Sequence, residues 1–170
     1  MLPIFEVEKG AIQSVEPPES YFGLSYWSHM VPPYKPETVL MLGCGGHTIP
    51  KLINIIWGTD WEFTCNEKHD AKQFLSDRRE DGHRFDYVIV DLFDGANMSD
   101  VVCDQEFIGK LRRVAEKLVA VNVPPHKIND VKDAYTKRNL FGLLAIRGTE
   151  SNAILFFKRD DDYEAYMPTL

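Results

Sequence analysis

The chain has 170 residues, with 19 Lys plus Arg against 26 Asp plus Glu for a formal net charge of -7. That length suits one domain able to bury roughly 70% of its unfolded surface, and an acidic balance without a lysine or arginine run argues against a nucleic-acid surface. No stretch approaches the ~20 apolar residues that cross a bilayer, and "MLPIFEVEKG" lacks a basic start with an apolar run behind it, so a cytoplasmic protein with no membrane partner is expected. Cys44, Cys65 and Cys103 are odd in number and show no CxxC spacing. The five histidines show no HxxxH or Cys/His clustering. Reduced thiols and no metal site are therefore expected.

"IFEVEKGAIQSV" has two short apolar stretches around Lys9-Gly10 and reads as a β-hairpin. "PPESYFGLSYWSHMVPPYKPE" is rich in proline and aromatics, an irregular segment with one helical turn. Val39 to Leu42 form a continuous apolar run, as a strand covered on both faces requires. Thr48 is the expected cap of a helix beginning near Ile49-Pro50, in which Ile49, Leu52, Ile53, Ile56 and Trp57 share one face before Gly58 stops it. A strand in "WEFTCNE", a helix in "DAKQFLSDRR" and a strand in "FDYVIVDLF" follow. Phe107, Ile108, Leu111, Val114, Ala115 and Leu118 mark an amphipathic helix that Asp104 could cap, and "LVAVNVPP" is the next buried strand. A weaker helix around Ile128, Val131, Ala134 and Tyr135 leads to "FGLLAIRG" and "AILFFKR", joined by "TESN". Repeated strand-helix units predict an α/β, doubly wound, mostly parallel Rossmann-like sheet, closed by an antiparallel hairpin and preceded by the small N-terminal one. The expected layout is an N-terminal appendage over 1–36, a nucleoside-binding domain over 37–160 and an acidic tail over 161–170.

In such a sheet a ligand sits beyond the carboxyl ends of the strands, where the first strand-helix turn lets backbone approach it. Gly43, Cys44, Gly45 and Gly46 occupy that turn. Thr48 stands where a dinucleotide fingerprint would place its third glycine, and no P-loop lysine follows, so a nucleoside without a diphosphate fits better. The competing reading is a tight turn needing glycine for its backbone alone. Later strand ends carry Glu67 and Asp70, then Asp91 and Asp94. Facing the turn, one carboxylate could accept from a ribose diol and another from an amine, with Asp91 able to remove that amine's proton. The alternative is an ordinary Asp94-Gly95 turn and a helix cap at Asp70.

Together, "IQSVEPPESYFGLSYWSHM", "VLMLGCGGHTIPKL", "HDAKQFL" and "FDYVIVDLFDG" resemble the spermidine synthase-like branch of the S-adenosylmethionine-dependent methyltransferase fold, over about Gln13 to Phe157. The resemblance implies a donor, S-adenosylmethionine or its decarboxylated form, held by the glycine turn without a metal. It implies that Asp70, in the Asp70-Ala71 pair, contacts adenine and that Asp91 is the general base. It also implies that Asp94 is a second acid holding the amine substrate, with Tyr26 of a Tyr-x-x-x-Met pattern on the substrate side. Two departures stand out. Gly46 replaces the aspartate with which polyamine synthases grip the amine end of the donor. Only 48 residues separate Gly43 from Asp91, room for one strand-helix unit where the family places two. The surviving "WEFTCNE" strand should then pair directly beside "VLMLG", since a gap would strand backbone donors and acceptors, and Glu67 would take the ribose position. Two functions follow. One is a transferase moving an aminopropyl or methyl group to an amine, with a nucleoside and an amine as partners and homo-oligomerisation left open. The other is a trimmed, non-catalytic binding or assembly module.

Overall fold

A computed structural model describes residues 4–8, 11–16, 25–45, 47–67, 70–149 and 151–159. Gly46, the Lys9-Gly10 turn of the first hairpin and the 161–170 tail lie outside the described residues. Strands β1 (Ile4–Glu8) and β2 (Ala11–Glu16) pair antiparallel, as the sequence predicts. After a single helical turn, α1 (Tyr26–His29), the main sheet begins.

Its strands are β3 (Thr38–Leu42), β4 (Glu62–Asn66) and β5 (Phe85–Val90). A two-residue hairpin of β6 (Phe93–Asp94) and β7 (Asn97–Met98) leaves the sheet, which resumes with β8 (Ala115–Val123), β9 (Phe141–Gly148) and β10 (Ala153–Arg159). The spatial order is β4-β3-β5-β8-β10-β9. The first four strands run parallel, and β10 is antiparallel to both its neighbours. The doubly wound, mostly parallel sheet with its C-terminal hairpin is as expected, and β4 pairs directly beside β3, Val39 opposite Phe63.

The helices α2 (Thr48–Trp57), α3 (Ala71–Glu80), α4 (Gln105–Val114) and α5 (Ile128–Thr136) cover both faces. Val39, Met41, Tyr87, Ile89, Ala120 and Ile154 face α1 and α2, whereas Leu40, Leu42, Val88, Val90, Val121 and Leu155 face α3, α4 and α5. This alternation between two covered faces is why the strands read as unbroken apolar runs. From β3 the chain crosses by α2 to β4 on one side, then by α3 to β5 on the other. Right-handed crossovers winding in opposite directions put their helices on opposite faces and leave a switch point between β3 and β5.

Three local expectations need correction. Thr48 is the buried first residue of α2 rather than its cap, a place taken by His47 in the left-handed region (φ 62°) with no side-chain capping bond. Ile56 is 41% exposed, because the last turn of α2 instead packs Trp57, whose Nε1 donates to the Pro32 carbonyl at 3.0 Å. The helix expected to run to Leu118 stops at Val114, and Ala115 enters β8 with no loop between, so Ala115 and Leu118 fill strand positions. Asp104 does cap that helix, accepting from the Phe107 N–H at 2.9 Å.

Candidate functional site

The switch point brings the turn after β3 against the loop after β5. The Asp91 N–H donates to the Leu42 carbonyl at 2.9 Å, and the Gly43 N–H to the Asn66 carbonyl at 3.0 Å, so three strand ends are stitched at one place. Gly43 has φ +83°, and a Cβ there would lie 2.9 Å from the Asp91 carbonyl carbon and overlap its oxygen. Glycine is thus required by backbone approach between β3 and β5, the plainer of the two sequence readings. Gly45 also has a positive φ, 48°, and is exposed at the tip of the turn.

Asp91 sits at the centre of a polar chain. The Tyr26 hydroxyl donates to Asp91 Oδ2 at 3.3 Å, and Asn122 Nδ2 donates to Asp91 Oδ1 at 2.8 Å. Asn152 Nδ2 donates in turn to Asn122 Oδ1 at 2.9 Å, and the Asn152 N–H to Thr149 Oγ1 at 3.2 Å. Burial pushes the Asp91 carboxyl up to about 6, against the bonds from Asn122 and Tyr26, which favour its ionised form. Asp91 still keeps part of its surface open, so it can be reached from outside. The Tyr26 hydroxyl is pushed well above its ordinary value, first by burial and then by the Asp91 charge, and remains a donor at neutral pH. In the sequence Tyr26 and Asp91 are linked only by the family resemblance, and Asn122, Thr149 and Asn152 belong to no motif. A usable signal existed for Asn122, an amide interrupting "LVAVNV" and 2% exposed, since a polar group in a buried strand needs partners.

Asp94 is placed differently. It pairs with Asn97 across the β6–β7 hairpin, with Gly95 turning at φ 62°, and it is exposed. With Asp70, Ala71, Leu92, Phe93, Ser99 and Val101 it lines a cavity of about 360 Å³ between the start of α3 and the loop after β5. Asp70 Oδ1 accepts from the Lys72 N–H at 2.8 Å and the Gln73 N–H at 3.4 Å, so it caps α3 as the plainer reading expects. Capping occupies one oxygen of a carboxylate that also borders the cavity.

The thiols do not stay apart. Cys44 in the turn and Cys65 on β4 form a disulfide, with Cα atoms 6.1 Å apart, in place of the separate reduced thiols expected. The cause is register: β3 and β4 pair in parallel with Met41 opposite Cys65, which carries Cys44 over the adjacent strand end. The 21-residue separation gives no hint of this. Beside the pair, His47 Nε2 lies 3.1 Å from Glu67 Oε1, so the acid expected at the ribose is held by a histidine of the turn. Among the described residues, the only group of three or more His, Cys, Asp or Glu side chains close enough to share an ion is Cys44, His47, Cys65 and Glu67, which modifies the expectation of no metal cluster.

The backbone superposes on a SAM-dependent methyltransferase from Streptococcus mutans with TM-score 0.61 at 9% identity, covering 78% of this chain and 47% of that one. A methyltransferase complexed with SAH gives TM-score 0.59 at 10% identity, over 81% and 49% of the two chains. The fold is that of the methyltransferases. A release-factor-specific protein-(glutamine-N5) methyltransferase from Alicyclobacillus acidocaldarius gives 0.54 at 12% identity, over 84% of this chain and 93% of that one. The chain spans about half the length of the first two. No protein-family model and no curated protein matches it. At these identities the likeness is one of fold, and it does not by itself select the spermidine synthase-like branch. No helix of the described residues is long and apolar enough to cross a membrane.

Proposed function

We propose that this chain binds an adenosyl sulfonium nucleoside across the ends of β3, β4 and β5 and transfers its aminopropyl or methyl group to an amine. The observation that carries the reading is Asp91. It is a half-enclosed carboxyl that burial pushes up to about 6, held by Tyr26 and Asn122 at the switch point where open α/β sheets take their ligands. The residues present fit the nucleoside. The cavity beside α3 offers Leu92 and Val101 to an aromatic base and Asp70 to its amino edge, and its volume of about 360 Å³ lies within the ordinary range of small-molecule sites.

When bound, the donor supplies an electrophilic carbon on a positively charged sulfur. The acceptor nitrogen forms the new C–N bond, the C–S bond breaks, and its electron pair stays on sulfur as a neutral thioether. Asp91 takes the proton that the nitrogen loses. A carboxyl titrating near 6 is mostly ionised at pH 7, yet basic enough to accept a proton. Tyr26 and Asn122 fix its two oxygens, which limits the carboxylate to one orientation toward an acceptor. Asp94 lines the same cavity as Asp70, so in this reading it borders the nucleoside, and a role for it in holding the amine needs the acceptor to approach along that wall.

Calorimetry with S-adenosylmethionine, methylthioadenosine and decarboxylated S-adenosylmethionine tests the reading. Micromolar to millimolar binding of at least one supports it, and absence of heat with all three at millimolar concentration overturns it. The second reading, a binding or assembly module without turnover, is favoured by one feature: Glu67, the ribose acid of the proposal, is already engaged by His47. Nucleoside binding with no product from any amine would support that reading.

A further inference from the structure

We infer that Cys44, His47, Cys65 and Glu67 form a binding site for a zinc-class divalent cation that clamps the glycine turn to the end of β4. This reading goes beyond nucleoside binding and does not depend on it. The two Sγ atoms, one His47 nitrogen and one Glu67 oxygen lie within 4.8 Å of one another. A tetrahedral zinc with bonds of about 2.0–2.3 Å needs its ligand atoms roughly 3.3–3.8 Å apart, so side-chain rotations bring all four to one ion. Thiolate and imidazole together select zinc over magnesium or calcium, which want oxygen throughout.

A disulfide alone accounts for two of the four residues. It leaves unexplained why His47, at the cap position of α2, adopts a left-handed backbone conformation, φ 62°, costly for a side chain with a Cβ, while its side chain makes no capping bond. That conformation turns the imidazole over β4, where the Phe63 ring meets it edge-on with centroids 6.0 Å apart and Glu67 lies within hydrogen-bond reach. The surroundings also suit an ion. Cys44 is 3% exposed in the apolar layer under α2, while the His47 and Glu67 side chains are 47% and 40% exposed and give the metal a way in.

Disulfide and metal are alternatives at one place. A phosphine supplies the two electrons that open the S–S bond, becoming its oxide with oxygen from water, and both sulfurs gain protons. Cation binding then releases those protons, and four protein ligands close the coordination sphere as in structural rather than catalytic zinc sites.

The test uses the full chain, reduced by a phosphine under anaerobic conditions and titrated with Co²⁺. The expected result is one equivalent bound, with the charge-transfer absorption of thiolate-bound cobalt, displaced by one equivalent of Zn²⁺. Cys44→Ser and Cys65→Ser should each diminish that band, and His47→Ala and Glu67→Ala should each weaken binding at least ~10-fold, while Cys103→Ser leaves it intact. If thiol titration finds both cysteines reduced and the wild-type chain takes up no Co²⁺, the pair is a disulfide only and the inference fails. A charge-transfer band of undiminished intensity in Cys44→Ser or Cys65→Ser also overturns it. Cation binding would take Glu67 away from the ribose, so nucleoside binding is read separately, by calorimetry on the untreated, disulfide-bonded protein.

Discussion

Replacing Asp91 by Asn separates a proton acceptor from a residue that only orders a loop. Asp91 titrates at about 6 in the fold against 3.8 as a free side chain. Below the unfolded value the carboxyl is protonated in both states and folding carries no cost. As pH rises toward and through about 6, the folded state must hold a charge that its surroundings disfavour, and stability is lost. The difference of about 2.2 units corresponds to ~3 kcal/mol, a ceiling because Asp91 retains some solvent contact. Asn has nearly the same shape; its oxygen can accept from Asn122 and its NH₂ can donate to the Tyr26 oxygen, so the polar chain survives. Asp91→Asn should therefore match the wild type near pH 4 and exceed it by up to ~3 kcal/mol at pH 8, or ~6–12 °C in melting temperature for a chain of this size. Urea unfolding of both proteins across pH 4–8 measures this. Parallel curves, with the same difference at every pH, would refute the claim that Asp91 is buried at a cost. If the site is a working transferase, the same variant should also lose ~10²- to 10⁴-fold in turnover with nucleoside affinity nearly unchanged. Turnover within a fewfold of wild type would remove Asp91 as the base.

Asn122→Ala removes a bond that favours the charged carboxylate, so the Asp91 titration should move above about 6 in a carboxyl-resolved NMR titration, with a stability loss of ~1–3 kcal/mol from the broken chain. Gly43→Ala combines a left-handed backbone with overlap on the Asp91 carbonyl, and should cost ~2–5 kcal/mol in chemical denaturation. A loss under ~0.5 kcal/mol would mean that the turn tolerates a Cβ after all. Asp70→Ser keeps an N-cap for α3 but removes the carboxylate beside the cavity. Stability should change little while nucleoside affinity falls, and unchanged affinity in calorimetry would leave Asp70 as a cap alone.

The layered architecture was legible because burial on two faces writes itself into composition. "VLML", "YVIV" and "LVAV" are apolar at every position, which a strand covered from both sides needs, and the helices carry one apolar stripe each. The Asp70 and Asp104 caps were readable for a related reason, since a carboxylate that bonds a backbone N–H two or three residues ahead is a local event. The direct pairing of β4 with β3 also followed from counting residues, because too little chain lies between Gly43 and Asp91 to insert another strand-helix unit.

The candidate site was legible only in part, as strand-end acids without their partners. Tyr26 reaches Asp91 across 65 residues, and Asn152 reaches Asn122 across 30. Those contacts exist because α1 packs on one face of the sheet and because β10 runs antiparallel to β8, which brings the start of one strand to the end of the other. Cys44 meets Cys65, and His47 meets Glu67, through the parallel register of β3 and β4, where a slip of one residue would send Cys65 to the opposite face. Apolar periodicity records how much of each face is covered, a property of each segment by itself. Register and strand order depend on which segments find one another. The polar chain at Asp91 and the four-residue cluster on the turn were therefore decided only when the sheet assembled.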